Sequence, residues 1–254
     1  MSDIAVTRSD HVGMIVIQRP PHNFFDVDLI RDIADALEQF DQDAQVRSVV
    51  LAADGKAFCA GAKFAGSSSG APASAEGRRL YEQALRIFDC RKPIVAAIQG
   101  PAIGGGLGVA LAADFRVACP EARFSVNFTR LGIHPGFGLS VTLPELIGRN
   151  RAELLLYTSR RIDGEEAFAI GLVNELVEQA NVRERAVALA EEIAACGPLG
   201  VLASRETLRS GLAGRVRAAV SREQAEQERL MATQDFAEGV KSTAERRPAS
   251  FIGR

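Results

Sequence analysis

The stretch Lys92 to Asp114, KPIVAAIQGPAIGGGLGVALAAD, decides how this chain is read. Ile94 to Ile98 predicts a buried strand and Gln99-Gly100-Pro101 a turn, after which Gly104-Gly105-Gly106 opens a short alanine-rich helix ending near Asp114. Glycines at a helix start let another molecule reach the backbone, where the first N–H groups lack an intrahelical acceptor. Such a turn suits an anion or an oxyanion. Close packing of strand on helix accounts for the same glycines without any ligand.

A second segment bears on that choice. Lys56-Ala57-Phe58-Cys59-Ala60-Gly61-Ala62-Lys63-Phe64 follows another apolar strand, Ser48 to Ala52, and again brings small residues to a strand exit. Two strand exits with exposed N–H groups can hold one oxygen between them.

In this order and spacing the two segments resemble the signatures F-x-A-G-A-D and G-x-x-x-G-G-G of the crotonase (enoyl-CoA hydratase/isomerase) superfamily. The resemblance runs from Gln18-Arg19-Pro20 and Asn23 to Glu245-Arg246-Arg247-Pro248-Ala249-Ser250-Phe251. It implies an α/β fold: a crotonase-type ββα spiral over residues 1–195, then a helical C-terminal oligomerisation region over 196–254. A homotrimer or a dimer of trimers is the assembly implied.

Composition narrows the alternatives. The chain has 254 residues, 47% of them hydrophobic and 24% charged, enough for one sizeable core of an ordinary globular protein. A net charge of −2 offers no basic field for nucleic acid or an anionic membrane, so an anionic ligand must be held by local groups. No apolar run approaches a membrane span and Met1-Ser2-Asp3 does not open a secretory signal, so a cytoplasmic location is expected. Cys59, Cys90, Cys119 and Cys196 are widely spaced and only three histidines accompany them, which predicts free buried thiols and no metal site.

Local patterns fill in the order. Ile4 to Arg8 and Gly13 to Arg19 predict two strands, and Val27 to Asp41 an amphipathic helix capped by Asp26. Glu76 to Asp89 reads as a helix, Phe115 to Cys119 and Ala122 to Phe124 as short strands, and Leu139 to Ile147, Arg149 to Tyr157 and Gly164 to Ile170 as helices. Val173 to Val177 is expected as a strand. Arg215 to Asp235 is expected as a long, polar, solvated helix. Gly66-Ser67-Ser68-Ser69-Gly70 matches the G-x-S-x-G nucleophile elbow, but its Gly, Ala, Pro and Ser flanks read as a loop. Val109 stands where G-x-G-x-x-G needs its third glycine, which argues against a dinucleotide site.

The resemblance also assigns roles. It implies that an acyl-CoA thioester binds with its carbonyl oxygen between the backbone N–H groups of Ala62 and Gly105, and that Ala60, Lys63, Phe64 and Gly104 line the CoA and substrate channel. Lys63 stands where the family has an aspartate. Coenzyme A would enter as part of the substrate, and no separate cofactor is expected. Two preorganised donors would stabilise a thioester enolate or a tetrahedral oxyanion. Hydration also needs groups that move protons at the α- and β-carbons, and family hydratases use two glutamates. Gly108 and Phe128 occupy the matching positions and neither carries a proton. His134, in the loop after Leu131-Gly132, is the substitute acid or base to examine, with Tyr81 and Asp89 behind it; Asp114 matches a structural aspartate. The expected function is an acyl-CoA enzyme of this family, lyase-like and of non-standard reaction; the alternative is a catalytically silent acyl-CoA-binding protein.

Overall fold

The computed structural model describes residues 3–62 and 75–254. Strands β1 (Ile4–Ser9) and β2 (Val12–Ile17) lead to helix α1 (Val27–Gln42). Next come β3 (Ser48–Ala53) and α2 (Ala75–Asp89), then β4 (Ile94–Ile98), β5 (Ala102–Ile103) and α3 (Gly105–Ala112). β6 (Phe115–Ala118), β7 (Arg123–Ser125), a 3-10 turn at Thr129–Leu131 and α4 (Leu139–Ile147) repeat the theme. α5 (Arg149–Thr158), β8 (Ile162–Asp163), α6 (Gly164–Ala169) and β9 (Glu175–Leu176) follow. Four helices close the chain: α7 (Val182–Ala194), α8 (Pro198–Leu208), α9 (Leu212–Met231) and α10 (Gln234–Ala244).

The main sheet has the order β1-β2-β3-β4-β6-β9. Only the β1–β2 pair is antiparallel; Ile15 lies opposite Leu51 and Leu51 opposite Ala96 in the parallel ladder. Every residue of β3 and β4 is buried, as expected for interior strands covered on both faces. A second layer runs β5-β7-β8. It is extended by isolated bridges from Cys59 to Ala102 and from Phe25 to Ala62. Each turn of the chain therefore places one strand in the main sheet and one in the second layer before its helix, which is the expected spiral.

Local chemistry sets the helix ends. Asp26 accepts from the Leu29 N–H at 3.0 Å and starts α1, whose Leu29, Ile30, Ile33, Leu37 and Phe40 turn inward. The expected strand from Val173 to Val177 shortens to β9 because the Val173 N–H is taken by Ala167 at the end of α6. The expected solvated helix is also corrected. α9 buries Val216, Val220, Glu223 and Gln227, one face at three- and four-residue steps, against α2 and α4 of the same chain. Among the described residues no single helix is long and apolar enough to cross a membrane.

Asp114 closes α3. Its carboxylate accepts from the Ile94 N–H at 2.8 Å and from Arg205 and Arg209, each at 3.0 Å. The Asp114 and Arg205 side chains are only 11% and 10% exposed, so these charges depend on one another. Asp114→Asn is expected to lower the unfolding free energy by about 3 kcal/mol, read from urea denaturation, because it strands two guanidinium groups in the interior.

Candidate functional site

The two glycine-containing strand exits meet. Cys59 N–H donates to the Pro101 carbonyl (3.1 Å) and the Cys59 carbonyl accepts from Ile103 N–H (3.0 Å), so the chain leaving β3 runs beside β5. Phe25 N–H donates to the Gly61 carbonyl at 3.0 Å, which fixes the next residue, Ala62. A Cβ at Gly61 would stand 3.6 Å from the Gly105 nitrogen, so Ala62 is delivered to the start of α3.

The hydrogen bonds distinguish the N–H groups here. Gly104 N–H is taken by Ser125 (2.8 Å) and Ala60 N–H by His22 (3.0 Å), while Leu107 and Gly108 N–H both donate to the Gly104 carbonyl. Among the described residues no backbone acceptor engages the N–H of Ala62 or of Gly105. Of the residues singled out from sequence, Ala60, Ala62, Gly104 and Gly105 are thus brought together. Lys63, Phe64 and the serine motif at 66–70 lie outside the described residues.

The walls are aromatic. A Cβ at Gly105 would stand 2.5 Å from Phe25 Cζ and 3.7 Å from Phe137 Cδ2, and the Phe25 and Phe137 ring centroids are 5.7 Å apart. Phe88 continues the cluster at 6.4 Å from Phe137. Phe128 is buried, with its ring edge 3.8 Å from where a Gly104 Cβ would be. Gly108 faces Phe137: a Cβ there would come within 2.6 Å of Phe137 Cβ. Phe137 itself has φ +62°, a left-handed conformation rare outside glycine, asparagine and aspartate.

That loop is pinned from the C-terminal part of the chain. Glu223 of α9 accepts from Gly138 N–H (2.8 Å), Ser140 N–H (3.1 Å) and Ser140 Oγ (2.5 Å), on the C-terminal side of Phe137. Burial pushes the Glu223 carboxyl above the usual glutamate range, against the pull of those donors. On the other side Gln227 Nε2 donates to the His134 carbonyl (2.9 Å), and Tyr81 Oη donates to Gln227 Oε1 (2.9 Å). Sequence reasoning passed over Glu223, Gln227 and Phe137; the one local signal was the spacing of the first two with Val216 and Val220 on α9.

The acid/base candidates separate from the glycines. His134 Nδ1 lies 2.7 Å from the carbonyl of Pro135, to which it donates, leaving Nε2 as the acceptor. The residue lines a cavity of about 670 Å³ with Thr129, Ser140, Arg149, Glu153 and Tyr157, and neither Ala62 nor Gly105 contributes to that lining. Tyr81 is committed to Gln227, and burial raises its phenol pKa. Asp89 pairs with Arg217 at the exposed surface.

The four thiols are free; Cys59, Cys90 and Cys119 are buried as expected, whereas Cys196 is exposed on the turn between α7 and α8. Burial pushes the Cys59 thiol up to about 12, so this neighbour of the glycines is no nucleophile near neutral pH. Among the described residues no group of three or more His, Cys, Asp and Glu side chains could hold a metal ion.

A ββα spiral whose glycine-opened helix meets a second strand exit defines the crotonase fold. The enoyl-CoA hydratase/isomerase family model matches residues 7–254. A crotonyl-CoA hydratase of Syntrophomonas wolfei is 33% identical over 99% of this chain and 98% of its own. The crystal structure of a carnitinyl-CoA hydratase from Mycobacterium avium superposes with a TM-score of 0.88 at 31% identity, covering 99% of both chains. That of an enoyl-CoA hydratase/isomerase from Pseudoalteromonas atlantica gives 0.87 at 31% identity, over 99% of this chain and 100% of the other. The chain belongs to the enoyl-CoA hydratase/isomerase family.

Two outcomes follow from the packing. Gly108→Glu alone is expected to lower the melting temperature or block soluble expression, whereas Gly108→Glu with Phe137→Gly recovers the folded protein, because the Phe137 side chain from Cβ outward occupies the space the glutamate needs and glycine suits φ +62°. Native alkylation at pH 8 should label one thiol, Cys196, and alkylation in denaturant all four, counted by mass spectrometry.

Proposed function

We propose that this chain binds an acyl-CoA thioester and acts on it with the carbonyl oxygen held between the N–H groups of Ala62 and Gly105. The observation that carries the reading is the approach of Gly61 to the Gly105 nitrogen, with both N–H groups lacking a backbone acceptor among the described residues. Donors fixed by the fold do not reorganise as charge grows on the oxygen, and each is worth roughly 3 kcal/mol in such a site. Phe25 and Phe137 pack beside Gly105, and an apolar environment of that kind strengthens such an interaction.

The reaction class follows from what surrounds the oxygen. Hydrogen-bond donors at a thioester oxygen stabilise the negative charge of an enolate, the species through which a β-substituent is added or lost. A carboxylate at position 108 is replaced by glycine and its space by Phe137, and position 128 is a buried phenylalanine. Proton transfer by two glutamates is therefore not the route we propose here, and hydration proceeds without those contributions, each worth about 100-fold or more. His134 lines a cavity to which neither Ala62 nor Gly105 contributes, so it is not the acid or base of this proposal.

Loss of the conjugated thioester absorbance of crotonyl-CoA tests the reading. Turnover at least about 100-fold slower in kcat than a two-glutamate hydratase is expected, falling a further ~100-fold in Ala62→Pro, which deletes one donor. The Phe25 bond runs to the Gly61 carbonyl and survives that substitution. Unchanged turnover in Ala62→Pro would remove the oxyanion assignment, and tight acyl-CoA binding with no turnover in either protein would establish the silent binding protein instead.

A further inference from the structure

Tyr81 carries more than its bond to Gln227. Its phenol oxygen also has the backbone N–H of Phe137 as a hydrogen-bond partner, and it stands 2.0 Å from where a Cβ of Gly136 would be. Gly136 is not among the residues at positive φ, so closeness to the phenol, and not conformation, is what requires glycine there. Seven residues further along α2, on the same face of the helix, Phe88 packs its ring 6.4 Å from that of Phe137. One face of α2 thus meets both the backbone and the ring of Phe137. The supports from α9 act on its neighbours: Glu223 holds Gly138 and Ser140, and Gln227 the His134 carbonyl.

A phenylalanine at positive φ persists only where its surroundings over-determine it. We infer that Tyr81 is a positioning residue of the acyl site: by holding the Phe137 backbone it keeps that ring beside Gly105, and so sets how tightly an acyl thioester is bound. The inference rests on the acyl-CoA reading above. Phe137 Cδ2 comes within 3.7 Å of a Cβ at Gly105, next to Phe25, so an acyl group whose carbonyl oxygen is on the Gly105 N–H has these two rings for apolar contact. Tyr81→Phe keeps the ring that packs on α2 and deletes the oxygen. The Phe137 N–H then loses its partner, and the residue is free to leave positive φ and carry its ring away. Tyr81 bonds Gln227 and Phe137 and neither Ala62 nor Gly105, so its effect passes through Phe137.

A double-mutant cycle in the full-length protein, read by calorimetry with butyryl-CoA, tests this. Tyr81→Phe is expected to weaken binding at least about fivefold in the wild-type background and less than about twofold in a Phe137→Gly background, where there is no ring to hold and glycine suits the left-handed φ. With crotonyl-CoA as substrate the loss should fall on KM, with kcat within about twofold, because a ring against the acyl group is felt alike in the ground and transition states. Gly136→Ala, which takes the space of the phenol oxygen, should reproduce the Tyr81→Phe result, and it decides the case if Tyr81→Phe does not fold. Equal weakening in both backgrounds overturns the inference, since that is the mark of general packing of α2, and so does unchanged binding in Tyr81→Phe; either leaves the acyl-CoA reading standing. A fall in kcat with KM unchanged also overturns it. Failure of wild type to bind butyryl-CoA overturns the inference together with the reading beneath it.

Discussion

The contact between Gly106 and the Cys59 carbonyl is the constraint on which the site depends. A Cβ at position 106 would stand 2.1 Å from that oxygen, so the first turn of α3 can lie against the chain leaving β3 only if the residue is glycine. The same carbonyl accepts from Ile103, which makes Cys59 a hinge pin between the two sheet layers. With that distance fixed, Gly61 comes up to the residue before Gly106: a Cβ on it would stand 3.6 Å from the Gly105 nitrogen. The approach of the two segments is thus a consequence of layer packing, beside the fully buried strands β3 and β4.

Around that backbone frame the nearest side chains are aromatic. Phe137 fills the space in front of Gly108, Phe25 covers Gly105, and the loop that carries Phe137 is held in a left-handed conformation by bonds from α9. Glu223 and Gln227 make the C-terminal helices part of the site's support, although neither reaches the glycines. Such long-distance bracing explains how a non-glycine residue is kept at positive φ: donors on one side of it and a carbonyl on the other are both tied to a single helix face. The same helix packs on its own chain's α2 and α4, so the loop needs no second copy to be positioned.

Much of this was readable along the chain, and the reason is locality. The all-apolar strand Ile94–Ile98, the cap at Asp26 and the glycine helix are each specified by residues that touch their near neighbours in sequence. The approach of Gly61 to Gly105 was legible only through a resemblance, because the forty or so intervening residues carry no pattern that fixes a contact. Phe137 could not be read as the reason for Gly108, since the sequence shows an absent carboxylate and not the ring that takes its space. Glu223 lies 85 residues from Gly138, and its spacing with Val216 and Val220 on a polar helix gives no sign of what it would bond. For His134, the bond from Nδ1 to the Pro135 carbonyl and its place in the cavity lining are set by tertiary packing that residue order does not specify.

The vibrational frequency of the thioester carbonyl tests the central claim most directly, because it reports on the oxygen itself and needs no turnover. Difference infrared spectra of carbonyl-¹³C butyryl-CoA bound to the wild type should show the carbonyl stretch moved to lower frequency than in free solution, with most of that displacement lost in Ala62→Pro. A bound thioester whose carbonyl absorbs where the free one does would contradict the account, since no donor would then be acting on that oxygen.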